Sequence, residues 1–264
     1  LKKYLSLLLL GLIVLIASSE ATAQRRKVMN LPKYDLEPYH FGFILAANEM
    51  HFSLKLKDGF QNVFHERELW PERPFADSLQ LMNMTPAATP GFTIGIVGNL
   101  RLANHFDLRF VPSLSFGERH MDYQVKEYRN GADSLFSFRK SNASTFVEFP
   151  LYIKYRSKRL NNAAAYIIGG VNYRIDLASQ KKNEKEILVD GSPTTIIEGI
   201  RISRNSVSLE IGTGFDFYTN FFKFGVELKM SYGLGNLVET DKYIYTSSIE
   251  SLKNKIFQIS FTFE

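Results

Sequence analysis

The chain has 264 residues, 32 Lys and Arg against 27 Asp and Glu for a formal charge of +5, and no cysteine. The lack of cysteine excludes disulfides and thiolate chemistry. The mild, interspersed charge, with only Lys181-Lys182 and Arg25-Arg26-Lys27 as short basic clusters, leaves nucleic-acid binding without support. Thirteen Tyr and 22 Phe stand against a single Trp70, an aromatic loading that suits strands and membrane interfaces.

Residues 1–23 read as a secretory signal peptide. Lys2 and Lys3 precede an apolar run from Leu5 to Ile16, and Ala21-Thr22-Ala23 supplies small residues at the expected cleavage site. The run is short for a bilayer span, so a retained anchor helix is the weaker reading. No cysteine follows it to carry a lipoprotein anchor. After removal of Lys2, Lys3 and Glu20, 30 basic and 26 acidic residues remain, a net charge of +4. Residues 24–39, through "NLPKYDLEPYH", form a Pro-punctuated lead-in, and 40–264 form one domain.

Beyond the leader no 18-residue apolar run occurs, which excludes helical membrane spans. Period-two alternation recurs instead. It predicts eight strands: His40 to Leu56, Phe92 to Leu102, Phe106 to Gly117, Thr145 to Arg156, Ala164 to Ala178, Val207 to Tyr218, Phe222 to Leu234, and Ile256 to Glu264. Alternation falters near Asn48 to Met50, where a bulge is expected. Pro112 is an awkward guest in the third strand.

The connections alternate in length. Those after strands two, four and six are short (103–105, 157–163, 219–221), and those after strands one, three, five and seven are long (57–91, 118–144, 179–206, 235–255). This parity predicts an all-β, eight-stranded antiparallel up-and-down transmembrane β-barrel of the outer membrane, with a periplasmic N-terminus and long extracellular loops. In "TFVEFPLYIKYR", Val147, Phe149, Leu151, Ile153 and Tyr155 would face lipid, while Glu148, Lys154 and Arg156 would face the lumen. Across all strands the expected lumen polar network is Arg101, Asp107, Arg109, Glu148, Lys154, Arg174, Asp176, Glu210, Asp216, Lys223, Glu227 and Lys229. Eight strands leave room only for side chains, so both signs should pair in a packed lumen and not in a pore. The rival is a soluble exported barrel of lipocalin type with its apolar face inside. Loop parity, large aromatics on the apolar face and a last strand ending in Phe263 argue against it.

Sites for chemistry are sparse. Of the five histidines (His40, His51, His65, His105, His120), the "HERE" run at 65–68 lacks the second histidine of a helical zinc site. His120 with Asp122 is the one close pair reminiscent of a hydrolase, and no serine can be put beside it from sequence. The glycines at 95, 98, 169, 170, 212, 214, 225 and 233 lie inside predicted strands and form no phosphate-binding fingerprint. No catalytic, cofactor-binding or metal residues and no cofactor are therefore assigned. Trp70, in the Pro-bracketed "ELWPERPF" of the first long loop, is a candidate partner contact.

"EFPLYIKYR" followed by a short turn and "AAYIIGGVNYRIDL" resembles the centre of the PorT family of small outer-membrane barrels of Bacteroidetes. The lead-in "NLPKYDLEPYHFGFILAANEMHF" (30–52) is similar to the start of the family's namesake. The resemblance spans about Asn30 to Glu264. It implies a non-enzymatic component of the type IX secretion system, which exports folded cargo and serves gliding motility. The implied partners are outer-membrane lipid and other secretion components, a larger translocon barrel or its accessory proteins, around a monomeric barrel. A filled lumen would restrict such a protein to an accessory role. A generic surface barrel for adhesion or envelope structure, and a lipid-modifying enzyme using His120, stay open beside it.

Overall fold

The computed structural model describes residues 28–66, 76–178, 184–189, 192–197, 200, 202–239 and 244–264. The predicted leader, the Arg25-Arg26-Lys27 and Lys181-Lys182 clusters and Trp70 lie outside the described residues.

Eleven strands join in one antiparallel sheet: β1 (Tyr39–Leu56), β2 (Phe64–Glu66), β3 (Ser78–Ala87), β4 (Thr89–Arg101), β5 (Phe106–Phe110), β6 (Ser113–Arg129), β7 (Ala132–Arg156), β8 (Ala163–Asp176), β11 (Asn205–Tyr218), β12 (Lys223–Gly233) and β13 (Ile249–Phe263). Strands β9 (Glu184–Val189) and β10 (Ser192–Ile197) make a separate two-stranded hairpin. β1 pairs with β13 along one edge and with β4 along the other, so the ladder through β5/β6, β7, β8, β11, β12 and β13 returns to its start. Backbone donors and acceptors thus find partners around a ring, as a structure lying in lipid requires.

The staves number eight because two of them are interrupted. Stave three breaks at Pro112, which has no N–H to donate. Its register nevertheless continues, since Phe110 faces Leu151 and Ser113 faces Glu148, three residues apart on both sides. Stave two consists of β3 and β4, and here one residue is gained. Ala87 pairs with His120 and Phe92 with Phe116, five residues against four. A second irregularity falls between Leu81 and Asn83.

The bulge expected near Asn48 to Met50 is absent. β1 keeps unbroken register from Tyr39 to Met50 against β4 and from Phe43 to Lys55 against β13. What changes there is polarity. On the outer face Phe41, Phe43, Leu45 and Ala47 give way to Glu49, His51, Ser53 and Lys55, and on the inner face Asn48 gives way to Met50, Phe52 and Leu54. β6 switches in the same way. Its outer face passes from Leu114 and Phe116 to Glu118, His120 and Asp122, and its inner face from Ser113, Ser115 and Arg119 to Met121, Tyr123 and Val125. One uninterrupted strand therefore runs through two solvents, polar inside in the apolar belt and apolar inside beyond it.

Where described, the long connections 57–91 and 118–144 are correspondingly not loops, as expected from the sequence, but largely strand, and 179–206 carries the β9–β10 hairpin. Residues 118–144 are β6 and β7 joined by a two-residue turn at Asn130 (φ 50°) and Gly131 (φ 78°), the left-handed pair that a tight hairpin of this twist needs. The extensions enclose a hydrophobic core of Phe52, Leu79, Leu81, Met84, Met121, Tyr123, Val125, Ile202, Leu237, Ile249 and Leu252, with Ile244 of the one-turn helix α1 (Ile244–Ser247) packed into it. Tyr123 stacks on Phe138 with centroids 5.0 Å apart. The barrel thus carries a folded lobe at its long-loop end.

Candidate functional site

Below the lobe the lumen is filled by ions. Arg109, Arg119, Lys154, Arg156, Arg174, Lys223 and Lys229 are buried there with Asp107, Glu148, Asp176, Glu210, Asp216, Glu227 and Glu264, seven of each sign among the described residues. They are buried because alternate residues of each stave point inward, and the inward position of a narrow barrel offers no water in which to solvate a charge. Unpaired, each would cost several kcal/mol, roughly the penalty for an ion left alone in a protein interior.

The pairs are arranged in tiers. Nearest the short-turn mouth, Lys223 donates to Glu264 (3.0 Å), which also accepts from Asn99, and Lys154 donates to Asp216 (2.7 Å) while lying 3.7 Å from the centre of the Tyr166 ring. In the next tier Arg109 donates to Glu227 (2.7 Å), whose same oxygen accepts from the Tyr166 hydroxyl (3.1 Å). Deeper, Arg174 bridges Glu148 (Nε to Oε1, 2.8 Å) and Glu210, and its Nη1 reaches Ser208 (2.6 Å). Lys229 lies 3.2 Å from Glu210 and donates to the Tyr152 hydroxyl (2.8 Å), which itself donates to Glu210. The last tier is Arg119, spent on Asp176 (2.8 Å), Asn254 (2.6 Å) and Ser144 (2.7 Å), with the Phe52 and Phe146 rings on its flanks. Arg119 is where the polar lumen meets the apolar core of the lobe.

Both mouths are closed. The lobe core sits over one. At the other the lead-in folds back: Asn30 bonds Asn162 and the Tyr218 carbonyl, and Asp35 takes Arg156 and the Tyr218 hydroxyl. Tyr34 stacks on His40 at 3.8 Å, edge-on to Tyr218, with the Lys223 ammonium 4.9 Å from its ring centre. Burial raises the Tyr34 phenol above its ordinary value, so it stays neutral in this cap.

Of the twelve residues assigned to the lumen from sequence, eleven are buried, and ten join these ion pairs; Asp107 lies buried beside Arg156. Arg101 does not join: half-exposed at the short-turn mouth, it donates to the Leu36 carbonyl and to Asn104. The sequence reading missed Glu264, Arg119, Tyr152, Tyr166, Asn172 and the Tyr34-Asp35 cap. The signals existed. Glu264 continues the inward parity of Gln258, Ser260 and Thr262, and Arg119 continues that of Ser113, Ser115 and Gly117, two residues past the end of the predicted third strand.

His120 and Asp122 project from the outer face of β6 just beyond the apolar belt. The register sets Ser141 directly opposite His120, but the Ser141 hydroxyl donates to Glu118 (3.1 Å), with the imidazole 3.8 Å from that carboxylate. Asp122 accepts two bonds from Arg139 (2.6 and 2.8 Å). The acid stands between serine and histidine, the wrong order for a base to activate the hydroxyl. His65 lies in the lobe near Ser247, and no cluster of three or more metal-ligating side chains occurs among the described residues.

Comparison with solved structures returns small outer-membrane proteins. Neisserial surface protein A is 11% identical, with 86% of this chain and 99% of that one covered and a TM-score of 0.41. OprG from Pseudomonas aeruginosa is 13% identical, with 84% and 92% covered and a TM-score of 0.34, and Ail of Yersinia pestis is 10% identical, with 86% and 98% covered and a TM-score of 0.33. No curated protein matches. At the level of families, the outer membrane protein beta-barrel domain matches residues 76–239, well over half of the chain. With that match, and with a ring of strands apolar outside and ionic within, the chain belongs to the outer membrane protein beta-barrel domain family.

Proposed function

We propose that this outer-membrane barrel is an accessory component of the type IX secretion system, acting as PorT (SprT) does, without catalysis. In this reading 1–23 is a cleaved leader, 24–39 a periplasmic lead-in and 40–264 the barrel, with the lobe outside the cell. The observation that carries it is the double role of residues 30–52. The segment that resembles the start of PorT is the same one that caps the short-turn mouth with Tyr34 and Asp35 and then continues as β1. A lumen packed with ion pairs supports an accessory role, because folded cargo has no path through it. The lobe, the capped mouth and the lipid-facing wall remain as surfaces on which translocon components could assemble.

A second reading, a surface barrel for adhesion or envelope structure, draws on the lobe, whose own hydrophobic core gives it a folded surface. Deletion of the gene separates the two. Type IX cargo retained in the periplasm while other barrels assemble normally supports the secretion role, and rescue by a copy shortened at the 118–144 hairpin would move the partner surface elsewhere. Normal cargo release on deletion overturns the secretion role and leaves the surface barrel.

A further inference from the structure

Three exposed cations of the lobe are neutralised where they stand. Arg139 is paired with Asp122, Lys126 with Asp133 (2.6 Å), and Lys55 with Glu250 (2.6 Å). Two on β13 are not. Lys253 and Lys255 point outward on the same face, and among the described residues neither has a carboxylate within 4 Å. They occupy a particular level of the barrel. Toward the short-turn end the same face continues as Phe257, Ile259, Phe261 and Phe263, so on β13 the lysines are the first charged residues above the apolar belt. His51 faces Lys255 across the β1–β13 ladder, and Tyr232 faces it across β12–β13. The Lys253 ammonium lies 5.4 Å from the Tyr232 ring centre and that of Lys255 5.3 Å from Phe257, whose ring is 5.7 Å from His51. The His51 Nδ1 is buried without a hydrogen-bond partner. Glu49, the one carboxylate on this face of β1, stands opposite Phe257 and pairs with neither lysine.

We propose that Lys253 and Lys255, flanked by His51, bind the phosphate of a lipid A-type headgroup in the leaflet around the long-loop end. The level selects a lipid, since these ammonium groups sit where acyl chains end and headgroups begin. Two lysines at i and i+2 stand about 7 Å apart along the strand, so one phosphate between them can accept from both. Phe257 and Tyr232 hold the lysine stems against the wall and present an apolar floor to the first methylenes of the chains. The choice of lipid A rests on the outward orientation proposed above.

Native mass spectrometry of the full barrel in detergent, titrated with bisphosphorylated lipid A, tests the site. The expected result is saturable binding that falls about 25-fold in K253Q/K255Q, roughly fivefold per lysine at a membrane surface, and is kept in K253R/K255R. Unchanged heat-modifiable migration on gels shows that the variants fold. Independently of any variant, dephosphorylated lipid A should bind the wild-type protein at least tenfold more weakly. Equal binding by K253Q/K255Q, equal binding of dephosphorylated lipid A, or equal competition by phosphatidylethanolamine each overturns the site. Labelling of Asn130→Cys on intact cells by an impermeant maleimide supports the leaflet. Labelling only after permeabilisation overturns the orientation and lipid A as occupant, and leaves the phosphate measurement in micelles legible on its own.

Discussion

Glu148 and Arg174 are direct cross-strand neighbours on β7 and β8, and their side chains close a 2.8 Å ion pair with both groups out of reach of water. The second arm of Arg174 reaches Glu210, and Asn172 donates to both carboxylates (3.3 and 2.9 Å). One guanidinium therefore holds two carboxylates in a lumen that offers no other solvent. Arg174→Ala should destabilise the barrel by about 3–5 kcal/mol, because it strands buried charge and does not merely delete a bond. Combining Arg174→Met with Glu148→Gln should recover most of that loss. Urea unfolding in micelles, followed by tryptophan-independent far-UV circular dichroism, reads both. A single variant as stable as wild type would mean that the tiers are wet and loosely held.

The polarity switch along β6 makes a sharper demand, since Leu114 and Gln124 lie on the same outer face of the same strand. Leu114→Arg puts a cation against acyl chains and should cost about 2–4 kcal/mol, as charge does on the lipid face of such barrels. Gln124→Arg, on the lobe, should change stability by no more than about 0.5 kcal/mol, the range for ordinary surface substitutions. Equal effects at the two positions, measured by the same unfolding assay, would place the membrane boundary elsewhere.

Much of this was legible in the sequence, because period-two alternation reports directly on which residues share a face. The eight staves and the inward set from Asp107 to Lys229 follow from it. It reports the alternation, however, and not the sign of the solvent. Where β1 passes from Ala47 to Met50 the outer face turns polar and the inner face apolar, which in a single string looks like a lost beat and so like a bulge. The extensions were hidden for the same reason. Residues 118–144 carry more charge than the belt strands, yet "RNGAD" at 129–133 holds the Asn-Gly pair that marks a tight hairpin. The fold-back of Tyr34 and Asp35 had no such signal, because it depends on contacts with Arg156, Tyr218 and Lys223, which only closure of the ring brings together.

That hairpin offers its own test. Gly131 at φ 78° occupies the left-handed region, where a β-branched side chain costs about 1–2 kcal/mol. Gly131→Val should leave the midpoint of barrel unfolding where it is and speed proteolysis at the β6–β7 turn by about 5- to 30-fold, that cost expressed as an opening equilibrium. If the whole barrel loses stability instead, the lobe and the belt unfold as one unit.

His65 tests the lobe by pH. It is buried in β2, outside the belt, with Nε2 3.4 Å from the Ser247 hydroxyl, and burial lowers its pKa below the ordinary histidine value. A base whose folded pKa is depressed takes up its proton more readily when unfolded, so stability rises with pH through this range. The lobe should be fully stable above about pH 6.5, the ordinary histidine value, and weaken as pH falls below it. The lobe carboxylates Asp122 and Asp133, held below their usual values by Arg139 and Lys126, titrate further into acid and leave the window from about pH 7.5 to 5 to histidines, among which the His65→Gln comparison isolates this one. Hydrogen exchange of β2, β3 and α1 should accelerate across that window in the wild-type protein and not in His65→Gln. The belt strands serve as the internal reference, and an identical pH profile in the two proteins would show that His65 is already solvated where β2 meets the core.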